Sequence, residues 1–194
     1  MKNLFIIILF SSFSITAVAQ KKKKTNAPTK VNVLAKAENV TLENKKSELW
    51  LYNINQKIKD SINVKLIGNS TFTDYTLKSF SSKNNTLYLL TYKEKSLVQS
   101  TNKTEDILST YSEIYDFVSH AKVFENIQKS TKITEKVFLD RLKNASETQE
   151  KMRNEGYTFS LLPNGDVSLT SKSKSAKLSF DAVSKKYSET KKGK

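Results

Sequence analysis

The chain has no cysteine in 194 residues and is sparing with proline (two), glycine (four), histidine (one) and tryptophan (one). The missing thiols exclude disulfides, thiol catalysis, Cys-ligated zinc and iron–sulfur clusters, so stability rests on packing. With His120 as the sole histidine, multi-histidine metal centres are excluded, and the few glycines form no phosphate-binding loop. Neither a Gly-x-Ser-x-Gly elbow nor a His-Glu-x-x-His helix occurs. Arginine is scarce as well, with only Arg141 and Arg153 among 33 basic residues. Sites that grip phosphate in a fixed bidentate geometry favour arginine, so a specific nucleic-acid site is not expected.

Residues 1–19 read as a cleaved signal peptide. Lys2 precedes the apolar run Leu4–Phe10, and Ala17 and Ala19 stand at −3 and −1 of a cut before Gln20. Ser11, Ser12, Ser14 and Thr16 interrupt the run well short of the roughly 20 apolar residues that span a bilayer. The expectation is Sec export of a soluble periplasmic or extracellular protein, with no transmembrane segment in the mature chain. With no cysteine to acylate, it is not a lipoprotein. The leader resembles those of Bacteroidota, which often end Ala-x-Ala followed by Gln.

The net charge of +14 is uneven. Residues 20–36 carry six lysines and no acid, and residues 157–194 carry eight bases against three acids. Residues 104–156 reverse the sign, with eight bases against ten acids. Lys21, Lys22, Lys23, Lys24, Lys191, Lys192 and Lys194 are therefore candidate contacts for an anionic envelope polymer through screened, salt-sensitive attraction. A+T-rich codon usage, which favours lysine over arginine, is the competing explanation.

Apolar spacing suggests an α+β domain over residues 41–188, between a basic flexible tether at 20–40 and a basic tail at 189–194. Trp50, Ile54, Ile58 and Ile62 recur every four residues, the step expected of an amphipathic helix. The tryptophan is then expected as a core anchor rather than a ligand-stacking platform. Two further runs suggest an antiparallel helical hairpin: Ile107, Tyr111, Ile114, Val118 and Ala121, then Phe138, Leu142, Ala145 and Met152. Asn126–Lys132 is the expected turn, with Ser130 or Thr131 capping the second helix and Gly156 ending it; one continuous helix is the alternative. Strands are expected at Val64–Ile67, Phe72–Phe80 and Leu87–Tyr92, with turns at Gly68-Asn69 and Asn84-Asn85. Pro163-Asn164-Gly165-Asp166 sits between alternating Phe159-Ser160-Leu161 and Val167-Ser168-Leu169, which predicts a β-hairpin. Leu178, Phe180 and Val183 suit a third strand or a short helix.

Chemistry is thinly signalled. On the expected helix, Glu113, Asp116 and His120 share the face opposite the apolar seam, where they form a charged solvent face rather than a divalent-metal site. Tyr88, Tyr92, Tyr111, Tyr115 and Tyr157 are read as core packing in preference to a carbohydrate groove. Asp60-Ser61-Ile62 resembles the Asp-Ser/Thr-apolar sequon at which Bacteroidota O-glycosylate exported proteins, which marks Ser61. The sequence supports an exported envelope binding or interaction protein, with no catalytic site and no cofactor. Its rivals are a carbohydrate-active hydrolase with paired carboxylates and a chaperone-like holding protein built on the helical hairpin.

Overall fold

The structure, a computed structural model, describes residues 32–55, 58–67 and 71–190. These residues form thirteen strands and no helix, which corrects the α+β expectation to an all-β architecture. Three antiparallel meanders follow one another along the chain. Sheet A comprises β1 (Asn32–Ala37), β2 (Val40–Lys45), β3 (Glu48–Asn55) and β4 (Ile58–Leu66). Sheet B comprises β5 (Thr71–Ser82), β6 (Asn85–Gln99), β7 (Lys103–Asp116), β8 (Ala121–Phe138) and β9 (Ser146–Glu155). Sheet C comprises β10 (Thr158–Leu161), β11 (Val167–Thr170), β12 (Ser175–Asp181) and β13 (Lys186–Glu189). β1 falls within the stretch expected as a tether.

Sheet B is the middle layer. Tyr88, Leu90 and Tyr92 of β6 pack with Val40, Leu42, Leu49, Leu51 and Ile62 of sheet A. Leu87 and Leu89, alternating with them, pack with Val167 and Phe180 of sheet C. Burial on both faces explains why Leu87–Leu90 is an unbroken apolar run, since neither side of the pleat meets water.

The same two-sided burial accounts for the false helical periods. A four-residue step is two strand alternations, so Trp50 and Ile54 suit one strand face as well as one helix face; Ile62 falls on β4 and faces the opposite, core side. β-branched and aromatic residues in β7 and β8 then favour the extended chain. Ile107 and Tyr111 face the sheet A side, and the three-residue step to Ile114 crosses to the sheet C side, where it is also buried. Val118 lies in the β7–β8 turn and is exposed. The second run has no common face, because Phe138 ends β8, Leu142 is exposed in the β8–β9 connection and Met152 is exposed on β9. The expected helix–helix turn, Asn126–Lys132, is the middle of β8, and Thr131 is buried there rather than capping a helix.

The tight turns follow local chemistry more faithfully. Ser82 pairs with Asn85 around Lys83 and Asn84, both with positive φ as a two-residue hairpin loop requires, so the turn sits one residue before the expected Asn84-Asn85 and Asn85 begins β6. Gly165 closes the β10–β11 hairpin, with its N–H donating to the Leu162 carbonyl at 2.9 Å. In that loop Asp166 accepts from Ser179 Oγ at 2.7 Å and Asn164 Nδ2 at 2.8 Å, beside Lys177 Nζ at 3.1 Å. Burial opposes the Asp166 charge, but the bonds from Ser179, Asn164 and Lys177 outweigh it and hold the carboxyl below its ordinary value of 3.8. A depressed folded value means the stabilisation is complete above the unfolded value and vanishes as pH falls through the folded one. Asp166→Asn is therefore expected to lose about 2 kcal/mol at neutral pH and to flatten the acid limb of stability measured by urea unfolding. An acid limb identical to that of the native protein would contradict this.

Candidate functional site

β3 alternates in direction. Leu49 and Leu51 are fully buried against sheet B, which places Glu48, Trp50, Tyr52 and Ile54 on the other, outer face, where Tyr52 is nonetheless buried at 7% exposure and Ile54 is exposed. The sole tryptophan is thus half-buried on the outside, not a core anchor. Its ring stacks beside Tyr52, with centroids 6.2 Å apart and planes within 20°. Glu48 Oε2 accepts the indole Nε1–H at 2.8 Å, which fixes the ring orientation. Cross-strand neighbours are Glu43 and Asn63 for Trp50, and Thr41 and Ser61 for Tyr52. Lys45, Lys46, Glu48, Trp50, Tyr52 and Ser61 line an open groove of about 480 Å³. Lys46 and Ser47 take positive φ in the β2–β3 turn, and both lysines are exposed.

Asp60-Ser61-Ile62 lies on β4 rather than on a helix. Ile62 is buried, while Ser61 is exposed at the groove. Asp60 Oδ1 accepts the Ser61 N–H at 2.6 Å and meets His120 Nδ1 at 3.2 Å.

The Glu113, Asp116 and His120 triplet does not share a solvent face. Glu113 and Asp116 are buried, and His120 sits in the β7–β8 turn with positive φ. Among the described residues no group of three or more His, Cys, Asp or Glu side chains could hold a metal ion. Glu113 serves a buried polar network instead: it accepts from Tyr115 Oη at 2.6 Å and Lys122 Nζ at 3.2 Å, and Lys122 also reaches Glu125 at 3.0 Å. Burial, then the Glu113 charge, pushes the Tyr115 phenol far up and out of reach of ordinary titration. Tyr88, Tyr92, Tyr111 and Tyr115 all lie in the core shared by sheets A and B.

Tyr92 stacks on Tyr111 at 4.7 Å, and its hydroxyl is buried with no hydrogen-bond partner of ordinary geometry. Tyr92→Phe therefore removes a buried hydroxyl that meets Glu113 only in poor geometry, and we expect it to cost less than Tyr115→Phe, which should cost about 1 to 2 kcal/mol. Equilibrium urea unfolding separates the two; equal losses would contradict this assignment.

Two further grooves lie on sheet B. One of about 530 Å³ runs from β8 and β9 to sheet C and has a polar lining that includes Gln128, Ser130, Asn154, Glu155, Thr158 and Lys172. The other, of about 270 Å³, includes Lys95, Asp106 and Leu108. Each of the three grooves contains a single carboxylate. Glu113 and Glu125, which do approach each other, are bridged by Lys122.

The signal-cleavage residues Ala17, Ala19 and Gln20, and the terminal lysines Lys21–Lys24, Lys191, Lys192 and Lys194, lie outside the described residues, as does the Gly68-Asn69 turn. No helix among the described residues is long and apolar enough to cross a membrane. The outer face of sheet A escapes a helical reading because Trp50 and Ile54 satisfy both periods; the alternation of Leu49 and Leu51 around Trp50 is the signal that could have found it. The fold is an antiparallel β-protein of three meanders with an open aromatic groove on the outer face of sheet A. No known protein family, curated protein or solved structure matches the chain.

Proposed function

We propose that the chain is exported through Sec and acts at the cell envelope as a binding or interaction protein without catalytic chemistry, contacting anionic envelope components through its lysine-rich ends. The distribution of charge carries this reading. Residues 20–36 and 191–194 carry nine lysines and no acid, whereas residues 37–190 carry 23 bases against all 19 acids, a surplus of four. Within the described residues charges are extensively paired, as in Lys93–Asp74, Lys132–Glu150 and Lys103–Glu105. Lysines in short runs that hold no acid attract a polyanion with little geometric selectivity and with strong salt dependence. DNA is then bound no better than another polyanion of equal charge density.

The test is binding of the full chain and of a variant with Lys21–Lys24, Lys191, Lys192 and Lys194 changed to Gln. Vesicles of anionic lipid, acidic polysaccharide and DNA serve as probes at low and high salt. The variant is expected to bind several-fold more weakly at low salt and to converge with the native chain at high salt. Equal binding at low salt would contradict the role of the lysines. The holding-protein alternative depended on two projecting helices, and the corresponding residues form β7, β8 and β9.

A further inference from the structure

We propose that the groove on the outer face of sheet A is a saccharide subsite that takes a sugar ring carrying a carboxylate, such as a uronic-acid unit of an acidic polysaccharide. This deepens the envelope-binding reading and rests on it for the source of the ligand. Three observations converge on one groove. A half-buried indole stands where the fold does not need it, because Leu49 and Leu51 already fill the core side of β3. An aromatic ring offered at the surface covers the apolar C–H face of a sugar while leaving its hydroxyls to polar neighbours. The Glu48 carboxylate holds the indole N–H at 2.8 Å and Tyr52 supports the ring from the side, so the platform is set before any ligand arrives.

The polar rim selects among sugars. Ser61 and Glu48 can exchange hydrogen bonds with ring hydroxyls, the serine as donor or acceptor and the carboxylate as acceptor. Lys45 and Lys46 border the groove from the β2–β3 turn and pair with no carboxylate among the described residues. Two unpaired ammonium groups beside a stacking ring favour an anionic sugar over a neutral one. A nucleic-acid strand could also pair with lysine, but stacking successive bases takes a run of exposed rings, and with Tyr52 buried the groove offers only the one indole.

Because Trp50 is the only tryptophan, its emission reports on this site alone. The full chain is titrated with galacturonate oligomers, with neutral glucan oligomers of equal length and with inorganic polyphosphate. A saturable change in Trp50 emission is expected with galacturonate and not with the other two. Lys45→Gln with Lys46→Gln, both in an exposed turn, should weaken galacturonate binding about tenfold, as loss of two ionic contacts implies. Trp50→Ala, followed by calorimetry, should abolish it. Changing Lys21–Lys24 to Gln should leave the Trp50 response intact, so that failure of the tail reading and failure of this one are told apart. An unchanged emission in galacturonate, an equal response to polyphosphate or neutral glucan, or undiminished affinity in the Lys45/Lys46 variant would each overturn the assignment.

Discussion

Leu89→Ala and Leu90→Ala, made one at a time, are expected to destabilise the protein by about 3 kcal/mol each, although the two side chains point to opposite faces of β6. Leu90 is fully buried among the residues shared by sheets A and B, and Leu89 is 8% exposed among those shared with sheet C. In a sheet with one wet face, adjacent residues differ sharply, because one of them loses only solvent-facing contacts. Here each truncation removes buried carbon atoms and leaves a void bounded by a second sheet, so transfer and cavity costs both apply on both sides. Equilibrium urea unfolding gives the two values. A loss below about 1 kcal/mol at either position would mean that one of the covering sheets is misplaced.

Gly156→Ala should be nearly as costly, at about 3 kcal/mol, for two reasons that add. Gly156 has φ of 80°, where a Cβ is strained, and a Cβ there would overlap the Ile127 carbonyl oxygen of β8. The residue lies where the chain leaves β9 for β10 and passes from sheet B to sheet C. Asn126 Nδ2 donates to the Tyr157 carbonyl at 2.9 Å, and Gln128 Nε2 to Thr158 Oγ1 at 3.2 Å, so β8 holds both residues that follow the bend. Gly156→Asn should recover only the torsional part, since asparagine tolerates positive φ but brings the same Cβ. Thermal unfolding of the two variants checks this; an alanine variant as stable as the native chain would contradict the close approach.

Gly156 also shows how the sequence can be right about a residue and wrong about its setting. Its need for positive φ was legible, but a helix C-terminus and a strand-to-strand bend make the same demand. The hairpins at Asn84 and at Asn164-Gly165 were legible because their turn chemistry is local. Strands over Phe72–Phe80 and Leu87–Tyr92 were legible as well and fall in β5 and β6, but β7 and β8 were not, because burial on two faces lets an apolar residue occupy either side of the pleat. Steps of three and four then become as compatible with a strand as with a helix, and Ile107, Tyr111 and Ile114 are the clearest case. β-branched residues at Val64, Thr110 and Thr131 were the better guide.

The candidate site was hidden by the same ambiguity. A helical reading turns Trp50 inward with Ile54 and Ile62, whereas the strand turns Trp50 outward and sends Leu49, Leu51 and Ile62 into the core. Of the five tyrosines expected as packing, Tyr88, Tyr92, Tyr111 and Tyr115 do pack, and Tyr157 is half-buried outside both cores. Glu113 and Asp116 looked exposed only because a helix was drawn through them; on β7 they are buried, and Lys122 of β8 partly compensates Glu113.

The packing between sheets A and B and the proposed saccharide platform both follow from the orientation of β3. Quenching of the single tryptophan by acrylamide in the unliganded full chain tests that orientation directly. The structure predicts a half-buried indole that acrylamide quenches in part; an indole as protected as one in a closed core would contradict it.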